Sequence, residues 1–131
     1  MENNVFEEII EVIKHHPNFT EFEMQHKSAL LLPGIEIYPD CRKIYCNEQE
    51  LHLTVKEYDL LYLLAVNKGR VLTYEQIYQI VWKDYVQEIR NGTICYHVSN
   101  LKKKLNAVFP QAPFEIKCIR EIGYSFEIVS E

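Results

Sequence analysis

Thr54 and Glu57 stand three residues apart at the head of "LTVKEYDLLYLLAVN", and Thr73 and Gln76 repeat that spacing at the head of "YEQIYQIVW". A threonine at an N-cap accepts a hydrogen bond from the third helical N–H. The Glu or Gln there returns one to the cap, so each pair fixes where a helix begins. Two starts this close leave room for one short helix between them, with Tyr58, Leu61, Leu64 and Ala65 as its core stripe. An "NKG" turn follows, with Gly69 suited to a left-handed C-cap position, and then a scrap of strand in "RVLT".

Around this pair the apolar period changes. Ahead of it, "IEIYPD", "KIYCN" and "ELHLT" alternate with period two, which predicts three short strands with turns at "PDCR" and "NEQE", entered at Pro33 and Gly34. Behind it, a polar stretch from Lys83 to Gly92 leads into a third helix over 92–109, which Pro110 and Pro113 end. "FEIKCI" and "GYSFEIV" then alternate as two strands joined at "REIG". At the other end of the chain, "NVFEEIIEVIKHH" places Val5, Ile9, Val12 and Ile13 on one helical face and stops at Pro17. The chain therefore divides into a helical extension over 1–34 and one domain over 35–131.

Charge is distributed unevenly along this layout. The net charge of -5 over 131 residues argues at first sight against a polyanionic partner. Residues 1–24, however, carry six acids against Lys14 alone, and the remainder is neutral. Between 90 and 120, six bases (Arg90, Lys102, Lys103, Lys104, Lys117, Arg120) face one acid, Glu115. The longest apolar run, "ALLL" before Pro33, is far short of the roughly 20 residues of a membrane span. An acidic N-terminus is unlike a signal peptide. A cytoplasmic protein is expected, with Cys41, Cys46, Cys95 and Cys118 as reduced thiols that serve as small buried apolar side chains. Without a CxxC or a suitably spaced His pair, no metal or other cofactor is expected.

The third helix carries the chemistry. At 100° per residue, Ile94, Val98, Leu101, Leu105, Val108 and Phe109 share one face, which is the core stripe. Tyr96, Ser99, Asn100 and Lys103 lie opposite, flanked by Thr93, His97, Lys102 and Lys104. A helix that buries one side and offers amides, hydroxyls and cations on the other suits the major groove of double-stranded DNA. Asn100 is the candidate base reader, because an amide pairs in two places with adenine. Arg120, at the tip of the final hairpin beside Gly123, is placed to meet the backbone or minor groove. Three helices and such a hairpin are the layout of a winged helix-turn-helix, an α+β fold.

The segments "LTVKEYDLLYLLAVNKGRVLTYEQIYQIVW", "HVSNLKKKL" and "IREIGYSF" resemble the C-terminal effector domain of OmpR/PhoB-type response regulators, in order and spacing from about residue 35 to 129. The resemblance implies a four-stranded N-terminal antiparallel sheet, a three-helix core and a C-terminal β-hairpin wing. It implies binding to duplex DNA through Thr93, Tyr96, His97, Ser99, Asn100 and Lys102 in the helix and Arg120 and Tyr124 in the wing. It also implies a contact with RNA polymerase through the loop after the second helix, here Lys83, Asp84, Tyr85, Glu88 and Arg90. Against the family pattern, Ser99 and Asn100 stand where arginine is common, and the usual "RGxGY" of the wing reads "REIGY", which sets Glu121 beside Arg120. The 34 leading residues are too few for a phosphate-accepting receiver domain, so phosphorylation control is not expected within this chain.

Two functions fit these residues. One is a DNA-binding transcriptional regulator. The other is a protein-interaction module of the same fold with weak DNA affinity, which the acidic balance and Glu121 favour. Catalysis is not expected, since no histidine stands with a Ser or Cys in a triad-like context. The acidic extension has three readings: pairing two copies as a homodimer, shielding the basic face, or simply packing on the sheet.

Overall fold

A computed structural model describes residues 28–83 and 91–129. The leading amphipathic helix and most of the loop after the second helix lie outside the described residues. Strands β1 (Leu30–Leu32), β2 (Ile35–Tyr38), β3 (Lys43–Cys46) and β4 (Gln49–Leu51) form one antiparallel sheet in chain order. Helix α1 (Val55–Val66) follows, then β5 (Leu72–Thr73) and α2 (Tyr74–Ile77), which runs directly into a π-helical turn (Tyr78–Trp82). Helix α3 (Asn91–Val108) leads to the hairpin β6 (Phe114–Ile119) and β7 (Gly123–Ile128). The second sheet has the order β5-β7-β6.

Both capping boxes form: Thr54 and Glu57 exchange their two hydrogen bonds, and so do Thr73 and Gln76. In the first sheet the alternation turns Ile35, Ile37, Ile44, Cys46 and Leu51 inward. The β3–β4 turn is only Asn47 and Glu48, both at positive φ, the backbone of a tight two-residue hairpin. Its Asn47 side chain donates to the Val108 carbonyl at 3.1 Å and so caps the end of α3. Ile94, Val98 and Leu101 drive into the same core as Leu60, Leu61, Leu64 and Phe126.

Several expectations change here. Leu30–Leu32, assigned to the extension, is a strand paired with β2 through Leu30↔Ile37 and Leu32↔Ile35. The sheet thus starts before residue 35, because a three-leucine strand carries no alternation to announce itself. Gly69 is left-handed, with φ +82, but α1 ends at Val66 and its C-cap is Asn67, two residues before the glycine. Its N–H donates to the Phe126 carbonyl at 2.8 Å, tying the turn to β7 instead of capping the helix. Of the four cysteines only Cys46 is buried, and burial pushes its thiol up to about 11.

Gly123 has a different duty from Gly69. A Cβ there would lie 1.8 Å from the Leu72 carbonyl oxygen. Only glycine lets β5 and β7 approach this closely.

Candidate nucleic-acid interface

Helix α3 presents the expected face. Tyr96 is 63% exposed, and Ser99, Lys102 and Lys103 are exposed with it, while Thr93, His97 and Asn100 are half-buried. The imidazole of His97 lies between two rings, 5.5 Å from Trp82 and 5.3 Å from Tyr96. Trp82 in turn stacks on Tyr78 at 5.2 Å, and the Lys56 ammonium lies 5.4 Å from the indole centroid while donating to the Val81 carbonyl at 2.9 Å. The π-helical turn thereby supports the N-terminal half of α3 through an aromatic ladder.

The triple lysine divides. Lys102 and Lys103 stay in solvent, but the Lys104 ammonium lies 2.7 Å from Oε1 of Glu57, which is 2% exposed. Burial alone would raise the Glu57 carboxyl. The hydrogen bond from Lys104, the Thr54 N–H and the Lys104 charge together outweigh it and hold the group below its ordinary value. Lys104, expected among the DNA contacts, keeps a 39% exposed side chain, but its charge is compensated by a carboxylate that water cannot reach.

The wing places its two expected contact residues differently. Arg120 and Glu121 are exposed at its tip, with Glu121 at φ 66, and the Ile122 carbonyl accepts from the Tyr74 N–H at 3.0 Å, fixing the tip to the start of α2. Tyr124, by contrast, is 4% exposed, donates its hydroxyl to Cys95 Sγ at 3.2 Å, and meets Tyr74 edge-on at 5.7 Å. It joins wing to helix. Sequence reasoning had no signal for either the Glu57–Lys104 or the Tyr124–Cys95 contact, because each joins elements far apart in the chain. Of the loop expected to meet RNA polymerase only Lys83 is described, exposed and left-handed at φ 54; Asp84, Tyr85, Glu88 and Arg90 lie outside the described residues.

The family whose sequence profile is described as "Transcriptional regulatory protein, C terminal" matches residues 48–126. The chain belongs to this family. Its core, from the first capping box to the wing, is thus an OmpR/PhoB-type effector domain. The transcriptional regulatory protein SrrA of Staphylococcus aureus is 36% identical over 109 residues, which are 82% of this chain and 44% of SrrA. The chain spans about half the length of the curated relatives it matches. Among solved structures, the DNA-binding domain of CpxR from E. coli superposes with a TM-score of 0.68 at 29% identity, covering 79% of this chain and all of that one. The RstA DNA-binding domain of Klebsiella pneumoniae, solved in complex with its RstA box, has a TM-score of 0.66 at 21% identity, covering 77% of this chain and 98% of that one, a likeness of fold.

Proposed function

We propose that this domain binds duplex DNA sequence-specifically, with α3 in the major groove and the wing on the backbone or minor groove, and so regulates transcription in the cytoplasm. The observation that carries the proposal is the solvent face of α3. Tyr96, Ser99, Lys102 and Lys103 stand clear of the core, while Ile94, Val98 and Leu101 on the other side hold the helix rigidly. Hydroxyls and Asn100 read base edges there, and the two free lysines and Arg120 neutralise phosphates. Membership in the regulator family and the fold shared with CpxR support the same reading. No helix among the described residues is long and apolar enough to cross a membrane.

A second reading is favoured by Glu121, an exposed acid at the wing tip. It repels phosphate, and Lys104 is already neutralised. On that reading the fold docks RNA polymerase or another regulator, with the Lys83 loop as its surface, and binds DNA weakly. Selection of bound duplexes from a random pool at two salt concentrations separates the two. The first predicts a preferred sequence whose affinity falls steeply with salt. Failure to enrich any sequence at low salt overturns it.

A further inference from the structure

Helix α3 and strand β6 leave a trough between them with two unlike ends. At one end Phe109, Ala112, Ile116 and Val129 line a cavity of about 420 Å³. At the other, Cys95, Ser99, Lys103 and Cys118 line one of about 470 Å³. Lys102 and Asn106 belong to both, so the two are neighbours along α3. The second end lies on the face proposed to meet DNA. The first does not suit DNA, because phosphates gain nothing from Phe109, Ala112 and a Val129 that is 52% exposed. Lys102 and Lys103 outnumber Glu115, the one acid among the described lining residues. The trough therefore fits an acidic amphipathic peptide, with apolar side chains for one end and carboxylates for the other.

The chain itself carries such a segment ahead of β1. Val5, Ile9, Val12 and Ile13 share a helical face, and Glu8 and Glu11, three residues apart, follow one edge of it. A helix over 4–16 is about 20 Å long, the same as the stretch of α3 from Cys95 to Val108. The segment is also within reach. β1 ends beside Gly34, where a Cβ would lie 2.9 Å from the Phe109 ring, and Leu30 is about 7 Å back along the strand. Residues 18–27 extend up to about 33 Å. A tether of this length holds the segment at an effective concentration on the order of millimolar, so a contact too weak to form in trans is populated in cis. Charge selects the trough over the outer face of the first sheet. Leu31 is 65% exposed there, but Glu36 stands directly across from it, beside the paired Lys43 and Glu50, and that face repels an acidic segment.

We propose that residues 4–16 seat in this trough as a helix, with the apolar stripe over the Phe109–Val129 end and Glu8 and Glu11 towards Lys102 and Lys103, and that the seated segment excludes duplex DNA from α3. The exclusion rests on the DNA-binding reading; the contact does not. Exposed ion pairs are weak, so burial of the stripe holds the segment and the lysines decide where it lies.

Zero-length carbodiimide coupling of the full chain tests the contact, since it joins a carboxylate to a lysine only where the two touch. The exposed Lys43–Glu50 pair, 3.7 Å apart, serves as internal reference. Amide links mapped by peptide mass are expected from Glu8 or Glu11 to Lys102 or Lys103, in material of monomer mass and at a yield unchanged by dilution. Ile9→Ser with Ile13→Ser should abolish them, and so should Val129→Asp, at an already exposed position on the other side of the contact. Links from these acids to Lys43, links confined to dimers, or no links beside an intact reference each overturn the contact. On duplex at low salt, both variants are expected to bind about tenfold more tightly than wild type, because a seated segment leaves only a fraction of molecules competent. Equal affinities overturn the exclusion. If neither wild type nor variants bind any duplex, the DNA-binding reading fails and the exclusion with it, while the links still decide the contact.

Discussion

The Lys104 ammonium lies 2.7 Å from a Glu57 carboxylate that is 2% exposed and 47 residues away in the chain. The same carboxylate closes the first capping box by accepting from the Thr54 N–H at 3.0 Å. One acid therefore serves two elements: it fixes where α1 begins and anchors α3 at the third lysine. A buried carboxylate stripped of its cation keeps the desolvation cost and loses the attraction that offset it. The Lys104 side chain is 39% exposed, so screening discounts the loss. Lys104→Met is expected to cost about 2 kcal/mol in urea unfolding, whereas Lys103→Ala should stay within about 0.5 kcal/mol of wild type.

Acid sensitivity follows from the sign of the same shift. The folded Glu57 carboxyl sits below its ordinary value, while the unfolded one titrates near about 4.3. The pair's stabilisation is complete above that unfolded value and is lost as pH falls through the lower folded one. Glu57→Gln keeps the capping geometry, as Gln76 does in the second box, and removes only the charge. Urea midpoints measured from neutral pH down to about pH 3 should fall less steeply in this variant. Parallel curves would mean that Glu57 is not the titrating group.

Salt dependence on DNA should tell Lys103 from Lys104. Lys103→Ala is expected to weaken binding to all duplexes and to lower the slope of log affinity against log salt by about 1. Lys104→Met should leave that slope nearly unchanged, since its charge is already compensated by Glu57. Asn100→Ala should cost roughly 1–3 kcal/mol at a single base position of the selected site. Fluorescence anisotropy titrations between low and moderate salt read all three.

The wing depends on Gly123. Its missing Cβ is where the Leu72 carbonyl oxygen sits, so Gly123→Ala must separate β5 from β7 and should cost about 3 kcal/mol by urea unfolding. Gly69→Ala, with open space around it and only a left-handed φ of +82 to oppose it, should cost about 1–2 kcal/mol.

Each capping box should act on its own helix. Thr54→Ala and Thr73→Ala are each expected to cost about 1 kcal/mol. Because the two boxes share no hydrogen bond, the double variant should show the sum to within about 0.5 kcal/mol. A markedly smaller sum in chemical denaturation would show that the two helix starts are coupled.

The helix starts were legible in the sequence because a capping box is closed by atoms three residues apart. The alternation of β2 and β3 and the core stripes of α1 and α3, the buried Leu60 apart, were legible for a similar reason, since period two or 3.6 assigns a face before any partner is known. β1 was not, because Leu30–Leu32 gains its strand only from the ladder to Ile37 and Ile35. The solvent face of α3 was legible as a set of eight polar residues, yet their roles were not. A helical projection gives direction but says nothing of what stands there. Lys104 meets Glu57, His97 meets Trp82, and of the three lysines Lys102 and Lys103 are left in solvent to act on a polyanion.

The sequence by itself determined where two helices begin and which face of the third is apolar, and it sets a glycine ahead of "YSF" in the last strand. Local hydrogen bonds and periodicity act over a few residues, so they are written in the order of the chain. The tertiary structure decided which lysines remain free, why that glycine is required, and that Tyr124 turns from the wing surface to Cys95. Those outcomes depend on burial and on contacts between distant elements, and such contacts exist only once the core has brought the two sheets and three helices together.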